Sequence, residues 1–208
     1  MNSTASVLLK NDEMASSQGP RCPQLLVGLF PDRNVQLAIE RHRQQWLWPR
    51  TSRFPPIDRL HLTLGYVEDH AQARCAQRLI DALSDVRMQS LELLLDYAGT
   101  WSNDVSVVQP APHNGLRKLR QTIWRVIRKA GLTDQAPLAG WTPHITIARE
   151  SEGAACPTMS PIPWAVNEIR LVRSHFTVPF RHEGLASISA QEGMRILARP
   201  RAAPPAWH

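Results

Sequence analysis

Cysteine is scarce in this sequence of 208 residues, which contains only Cys22, Cys75 and Cys156. The three are far apart, include no C-x-x-C pair, and cannot all pair with one another because their number is odd. The pattern therefore indicates neither a disulfide framework nor a zinc site built from thiolates. We expect the protein to work in a reducing compartment, the cytoplasm.

Long apolar runs are also missing. No stretch approaches the ~20 apolar residues that a membrane span requires. The first 19 residues are rich in serine and other small polar residues, and their longest apolar run covers only 7–9, too short for the apolar region of a secretory signal. We expect residues 1–23 to form a disordered leader, residues 200–208 a loose tail, and no contact with a membrane.

Lysine is rare as well, because only three of the 24 basic residues are lysine and 21 are arginine. With 18 acidic residues the net charge is +6. The planar guanidinium suits phosphate, so this balance favours phosphate-bearing or nucleic-acid partners. The 43% hydrophobic and 20% charged content is ordinary for a folded globular domain.

The excess charge lies in one segment. Residues 114–130 show helical spacing of apolar residues and carry six basic residues and no acidic one, which equals the whole net charge of +6. The apolar stripe of this helix must pack on a sheet. We therefore expect its basic side chains to face outward, away from a site.

Hydrophobic periodicity predicts one order of elements twice: strand, helix, strand and a further strand, over 24–97 and again over 104–174. No letter-by-letter repeat accompanies it. The natural interpretation is a duplicated α+β architecture with two lobes, forming a single domain over 24–199. The predicted strands are 24–30, 59–67, 90–97, 104–108, 141–149, 165–174 and 194–199, and the predicted helices are 32–46, 69–83 and 114–130, with Asn114 as a cap.

The third element of each copy contains a histidine and a threonine two residues apart. The first reads Leu60-His61-Leu62-Thr63-Leu64 and the second Pro143-His144-Ile145-Thr146-Ile147. Because side chains alternate across a strand, each histidine shares a face with its threonine, and the aliphatic residues take the other face. Each strand thus offers one imidazole and one hydroxyl on a polar face.

Chance would give about 0.4 H-x-T matches in a chain of this composition, yet there are three. We set aside the third, His175-Phe176-Thr177, because no helix precedes its strand and Pro179 interrupts the run. A single histidine on a half-buried strand is more often structural than functional. Two such strands at equivalent places in two halves favour a shared catalytic site.

Two imidazoles facing one cleft can act as general acid and general base, since an ordinary pKa near ~6.5 makes both forms accessible. The two threonine hydroxyls can donate hydrogen bonds to an anionic oxygen between them. This set suits in-line displacement at phosphorus. A zinc site is the competing interpretation, but no H-E-x-x-H, H-x-H or carboxylate cluster accompanies the strands, and no G-x-S-x-G element indicates a serine nucleophile. We expect neither metal nor cofactor.

These residues resemble the 2H phosphoesterase superfamily, specifically the bacterial RNA 2′,3′-cyclic phosphodiesterases, also called 2′-5′ RNA ligase-like proteins. The resemblance covers roughly residues 24–200. It rests on Phe54-Pro55-Pro56 followed by the first motif, and on the run from Trp141 to Arg149 around the second. Further support comes from Pro161-Ile162-Pro163-Trp164 and from Arg195-Ile196-Leu197-Ala198-Arg199.

The resemblance implies a bilobal α+β fold in which two antiparallel sheets face a central groove with helices outside. It implies a metal-independent reaction in which His144 activates water as the base and His61 protonates the departing 3′ oxygen, with the roles exchanged in the ligation direction. Thr63 and Thr146 would bind phosphoryl oxygens. The implied substrate is RNA or a nucleotide with a 2′,3′-cyclic phosphate, and we expect a monomer.

Two positions near the motifs carry separate expectations. The family often has a phosphate-contacting arginine where this chain has Arg149, which can reach the groove only if the strand ends or bulges near Ala148. The family tends to read Phe-Leu-Gly after the first motif, whereas this chain reads Tyr66-Val67-Glu68, which would add a negative charge near an anion site. Tyr66 or Trp101 could stack on a base.

Two other functions stay open from the sequence. The chain could be a 2H esterase that acts on a small cyclic or 2′-5′ nucleotide rather than RNA. It could also be a module that holds RNA ends without turnover, although binding alone needs no pair of histidines.

Overall fold

The computed structural model describes residues 22–69, 73–136, 138–176 and 180–197. The expected leader up to residue 21, the tail 200–208, the end of the last predicted strand and Thr177 lie outside these residues. None of the helices that the described residues form is both long and apolar enough to cross a membrane.

Nine strands and three helices make up the described part of the chain, in the order β1 Gln24–Leu29, α1 Arg33–Arg43, β2 Leu62–Glu68, α2 Ala73–Leu83, β3 Leu91–Thr100, β4 Ser106–Pro110, α3 Asn114–Lys129, β5 Ile145–Ala148, β6 Ile162–Val166, β7 Glu168–His175, β8 Arg181–Ser189 and β9 Gly193–Ile196. All strand pairs are antiparallel. The expected antiparallel α+β class is confirmed.

The strands form one hydrogen-bonded array in the order β6-β3-β4-β5-β2-β1-β7-β8-β9. Its two halves meet where β2 pairs with β5, through the single registered pair Leu62↔Ile145 among the described residues. The two expected sheets are therefore continuous at one point. The last strand of each predicted copy pairs with strands of the other copy. β3, from the first copy, lies between β4 and β6, and β7, from the second copy, lies beside β1.

The helices follow their predicted apolar spacing but differ at their ends. Asp32 caps α1, since its Oδ1 accepts from the backbone N–H groups of Asn34 and Val35 at 2.8 and 3.1 Å. The cap of α3 is His113 and not Asn114, because His113 Nδ1 accepts from Leu116 N–H at 3.1 Å. Gly131, at φ +65°, follows the end of α3.

Two strand predictions were wrong. Residues 165–174 were predicted as one strand and no strand was predicted between 149 and 165, whereas β6 and β7 are two strands separated at Asn167. Strand β8 was missed entirely because its first residues, Arg181 to Gly184, are polar or small and only its second half is buried.

The core lies on the leucine side of the central strands. Leu62, Leu64, Ile145 and Ile147 are fully buried and belong to one apolar cluster with Val35 and Ile39 of α1 and Leu116, Ile123 and Ile127 of α3. His61, Thr63, His144 and Thr146 are only half-buried. The predicted alternation of polar and aliphatic faces in both motifs is confirmed.

Helix α3 packs closely on β2 at Gly65. A Cβ at this position would lie 2.8 Å from Ile127 Cδ1 and 3.0 Å from Asp134 Oδ2. Because a packed core gives way only at a cost, a side chain here would force the side chains of Ile127 and Asp134 to shift.

We expect Gly65→Ala to lower the free energy of unfolding by ~1–3 kcal/mol, because the new methyl group overpacks this contact. The measurement is urea denaturation. The double variant Gly65→Ala/Ile127→Val removes the clashing Cδ1 and should lose less than the two single variants combined. Additive losses would contradict a contact between these two residues.

Candidate active site

His61 and His144 each stand one residue before a central strand, at the start of β2 and of β5. Both had been predicted inside a strand. A short 3₁₀ turn, Ile57–Arg59, delays the first strand, and Pro143, which has no N–H to donate, precedes the second histidine. The two histidines therefore occupy equivalent places in the structure, as their sequence positions had indicated.

The antiparallel pair Leu62↔Ile145 determines how the four motif residues face one another. Because Leu62 and Ile145 oppose each other and point into the core, the flanking residues lie on the opposite face of the strands. There His61 is set beside Thr146, and Thr63 beside His144. We call this surface the histidine face. The two histidines lie on its diagonal, for which antiparallel geometry gives a separation of about 7–8 Å between their backbones.

Both imidazoles are held by a hydrogen bond of the same kind. His61 Nδ1 lies 2.7 Å from the carbonyl oxygen of Arg59, and His144 Nδ1 lies 2.8 Å from that of Thr142. A carbonyl oxygen can only accept, so Nδ1 carries the proton in both rings. Each Nε2 is then the atom left to gain or lose a proton.

The environment favours the neutral form of His144. Burial is the main cause that lowers its pKa to about 4, and the positive charges of His61 and Arg149 lower it further, while the hydrogen bond to the Thr142 carbonyl opposes them. At neutral pH the His144 Nε2 therefore carries a lone pair and can accept a proton.

A β-bulge follows each motif at the same position. The β1–β2 register runs from Gly28↔Thr63 to Val27↔Gly65, which leaves Leu64 as the extra residue, and the β4–β5 register runs from Val107↔Thr146 to Ser106↔Ala148, which leaves Ile147. An extra residue reverses the alternation after it. Both extra residues are fully buried.

The second bulge decides the position of Arg149. Strict alternation would place this side chain on the face opposite His144, but β5 bulges at Ile147 and ends at Ala148. The positive charge of Arg149 is one of the smaller causes that lower the pKa of His144. The strand thus both bulges and ends near Ala148, which is the condition under which Arg149 can reach the groove.

An aromatic ring packs against each histidine. Trp101 meets His144 edge to face with ring centroids 4.5 Å apart, and Phe30 lies 5.5 Å from His61. Glu68, in contrast, ends β2 opposite Gln24, about 20 Å along the strand from His61 at ~3.3 Å per residue. The prediction that Glu68 adds a negative charge near the anion site is therefore wrong.

A third histidine beside His61 was missed from the sequence. His182 of β8 packs edge to face on His61 with centroids 5.6 Å apart, and its Nδ1 lies 3.1 Å from Ser174 Oγ. Burial, followed by the charges of His61 and Arg59, lowers the pKa of His182 to about 4. No motif marks His182, and only recognition of β8 as a strand could have indicated it.

His175, the third H-x-T histidine, takes part in an ion network. Its Nε2 lies 3.0 Å from Glu183 Oε2, and this hydrogen bond is the main cause that lowers the pKa of the Glu183 carboxyl. Arg173 contacts the same carboxylate at 3.4 Å and buried Asp69 at 2.8 Å. Since the neighbouring Ser174 faces His182, His175 points to the other side of β7.

One buried arginine of α1 and one of α3 bind the chain near a motif. Arg43 of α1 donates to the carbonyl of Pro55 at 2.9 Å and to that of the bulge residue Ile147 at 3.3 Å. Arg120 of α3 contacts Asp134 at 2.6 Å and the Ala136 carbonyl at 2.5 Å, and it lies over Trp141. The indole of Trp141 in turn donates to the carbonyl of Thr63 at 3.3 Å.

The expectation that all basic residues of α3 face outward was therefore wrong for Arg120, which is 1% exposed and paired with Asp134. The other five are exposed: Arg117, Lys118, Arg125, Arg128 and Lys129. Within the described part of the chain, no three His, Cys, Asp or Glu side chains are grouped so that they could hold a metal ion.

The family model of the 2′-5′ RNA ligase superfamily matches residues 31–176. Among solved structures, Escherichia coli LigT complexed with 3′-AMP is similar at 24% identity and a TM-score of 0.69, covering 84% of this chain and 100% of that one. LigT complexed with NADP⁺ matches at 23% identity, a TM-score of 0.67, and 83% and 98% coverage.

A third structure, the protein TT0787 of Thermus thermophilus, matches at 19% identity, a TM-score of 0.59, and 81% and 98% coverage. No curated protein matches the sequence. At these identities the likeness of the three structures establishes a common fold.

We expect Arg120→Met to lower the free energy of unfolding by about 3–5 kcal/mol, because it leaves the buried Asp134 carboxylate without its cation. The matched control is Arg117→Met, one turn earlier on the exposed side of α3, which should change stability by no more than ~0.5 kcal/mol. Both are measured by urea denaturation. Equal losses in the two variants would show that the buried pair does not stabilise the fold.

Proposed function

The chain belongs to the 2′-5′ RNA ligase superfamily of 2H phosphoesterases, and on that premise we propose that it hydrolyses 2′,3′-cyclic phosphate ends of RNA or nucleotides to 2′-phosphates. The observation that carries the proposal is the matched pair of imidazoles on the histidine face. Each has its Nδ1 bound to a carbonyl two residues earlier and so works through Nε2.

In the proposed step, His144 Nε2 takes a proton from a water molecule whose oxygen attacks the phosphorus atom. The bond from phosphorus to the 3′ oxygen breaks, and protonated His61 gives its Nε2 proton to that oxygen. One water is consumed, and a 2′-phosphate and a 3′-hydroxyl are formed. His144 ends protonated and His61 neutral, and exchange with solvent restores both.

Several contacts support these roles. The low pKa of His144 supports its assignment as the base, since a neutral imidazole is required there. Thr63 and Thr146 share the histidine face, where their hydroxyls would donate to the phosphoryl oxygens. Arg149 would add a positive charge beside the same oxygens. The two histidines carry out both proton transfers, so the proposal includes no metal or cofactor.

The experiment that tests the proposal is incubation with an oligonucleotide that ends in a 2′,3′-cyclic phosphate, in the presence of a chelator, with identification of the terminal phosphate. We expect turnover to a 2′-phosphate. His61→Ala and His144→Ala should each reduce kcat/KM by ~10²–10⁴-fold, because each removes one proton transfer.

The chain supplies a matched control for these variants. His175→Ala removes the histidine of the same H-x-T pattern, whose imidazole is bound to Glu183 and faces away from His182. It should leave kcat/KM nearly unchanged. A loss comparable to that of His144→Ala, with the fold intact, would show that the strand of His175 takes part in the reaction and that the proposed pair is wrong. Loss of turnover on chelation would refute the metal-independent mechanism.

The pH profile tests the base directly. The base must be unprotonated, so kcat/KM should fall as pH decreases through the pKa of His144, which is about 4 and well below the ordinary histidine value. Arg149→Met should move this acid limb to higher pH, because a positive charge near His144 is removed.

Arg53→Met is the control for this shift, since Arg53 pairs through its Nε with Glu150 at 3.0 Å and is bridged to Arg149 through the backbone. It should leave the limb in place. An acid limb near pH 6.5 in the unchanged protein would contradict the assignment of His144 as the base.

A further inference from the structure

A cavity of about 500 Å³ lies beside His61 on the outer half of the sheet. Five of the residues that line it carry the argument: Phe30, Arg59, Arg170, Arg181 and His182. Phe30 and His182 both pack against the His61 ring, with centroids 5.5 and 5.6 Å away. The cavity is therefore a direct neighbour of one catalytic histidine of the proposed mechanism.

The strand register shows that the cavity continues the histidine face. Gly28 of β1 is the registered partner of Thr63 on β2 and of Arg170 on β7, so the three residues form one row across the sheet. Two strand spacings separate Thr63 from Arg170, which is about 10 Å. Because Gly28 has no side chain, the ring of Phe30 lies close over it, and a Cβ at this position would be 3.6 Å from Phe30 Cε2.

The charge of the lining favours an anion. Three arginines face two acidic residues, Asp58 and Glu168. Glu168 is already bound to Arg170 at 2.7 Å. Within the described part of the chain, no ion pair occupies Arg59 or Arg181, and the guanidinium of Arg59 lies 5.2 Å above the ring of Phe180.

Two further groups shape what could bind. The guanidinium of Arg170 lies 5.6 Å above the ring of Phe30 and donates its Nε–H to Glu168. His182, whose pKa is about 4, is neutral at physiological pH and adds no charge. Phe30 offers a surface on which a base can stack.

We propose that this cavity is a subsite for the phosphate that precedes the cyclic phosphate, on the 5′ side of the terminal nucleotide, with Arg59 and Arg181 as its main contacts. The assignment rests on the proposed function, whose substrate would span the row from Thr63 to Arg170. It makes an oligonucleotide end a better substrate than a nucleoside cyclic phosphate, which has nothing to place in the cavity.

Three substrates test the subsite: adenosine 2′,3′-cyclic phosphate, the same compound with a 5′-phosphate, and the dinucleotide ApA that ends in a 2′,3′-cyclic phosphate. We expect KM to be about tenfold lower for the second and third, because a charge-assisted hydrogen bond contributes roughly that factor. The double variant Arg59→Gln/Arg181→Gln should remove this advantage, so that KM becomes the same for all three substrates.

The matched control is Arg117→Gln/Arg125→Gln, which removes two exposed charges from α3 and leaves the cavity intact. It should preserve the preference for a 5′-phosphate. Equal KM values for all three substrates in the unchanged protein would overturn the proposal. So would an equal rise in KM for all three in the Arg59/Arg181 variant, since a general loss of positive potential would then explain the effect.

Binding separates this inference from the catalytic proposal. Equilibrium titration uses two non-reactive products, adenosine 2′-phosphate and ApA with a terminal 2′-phosphate, followed by tryptophan fluorescence. ApA 2′-phosphate should bind about tenfold more tightly, and the Arg59/Arg181 variant should lose that difference. If no substrate turns over but this difference holds, the cyclic phosphodiesterase proposal fails and the subsite stands. If the difference is absent, the subsite fails.

Discussion

The pairing of Leu62 with Ile145 is the contact on which the candidate site depends. In the described part of the chain it is the registered link between the two halves of the sheet, and it opposes the middle residue of one H-x-T motif to the middle residue of the other. Antiparallel geometry then sets each histidine beside the threonine of the other motif. A slip of one residue would turn one motif to the core, because side chains alternate with a period of two.

The two H-x-T motifs share local structure as well as sequence. Each imidazole is held through Nδ1 by a carbonyl two residues earlier, and each threonine is followed by a fully buried extra residue, Leu64 or Ile147. The hydrogen bond determines which nitrogen can do chemistry, and the bulge redirects the chain after the motif. The equivalence of the two halves therefore extends to their irregularities.

Two buried arginines connect α1 and α3 to this centre. Arg43 binds the carbonyl of the bulge residue Ile147, and Arg120 binds the segment 134–136, from which the chain continues to Trp141 and His144. Each satisfies carbonyl groups in a buried region, where an unpaired polar group is costly. The basic residues that the composition emphasised thus have three roles. Arg43 and Arg120 are structural, and the basic residues on the outer side of α3 are solvated. Arg149 and the arginines of the cavity lie close to the two histidines.

Local pattern was sufficient for much of this protein. The alternation in the two motifs predicted which residues would be buried, and the apolar spacing of α1 and α3 predicted their core faces, because both depend on geometry within a few residues. The pairing of two H-x-T strands also indicated the candidate site. Element ends were less accurate, since the 3₁₀ turn before β2 and the His113 cap depend on single contacts.

The sequence by itself determined the antiparallel α+β class, the faces of the central strands and the pair of candidate catalytic histidines, since each depends on spacing along the chain. Only the tertiary structure decided that β8 exists, that His182 packs on His61, that Arg120 is buried, and that Gly28 joins Thr63 and Arg170 in one row. These contacts join residues far apart in the chain, and strand register and helix packing bring such residues together without leaving a local pattern.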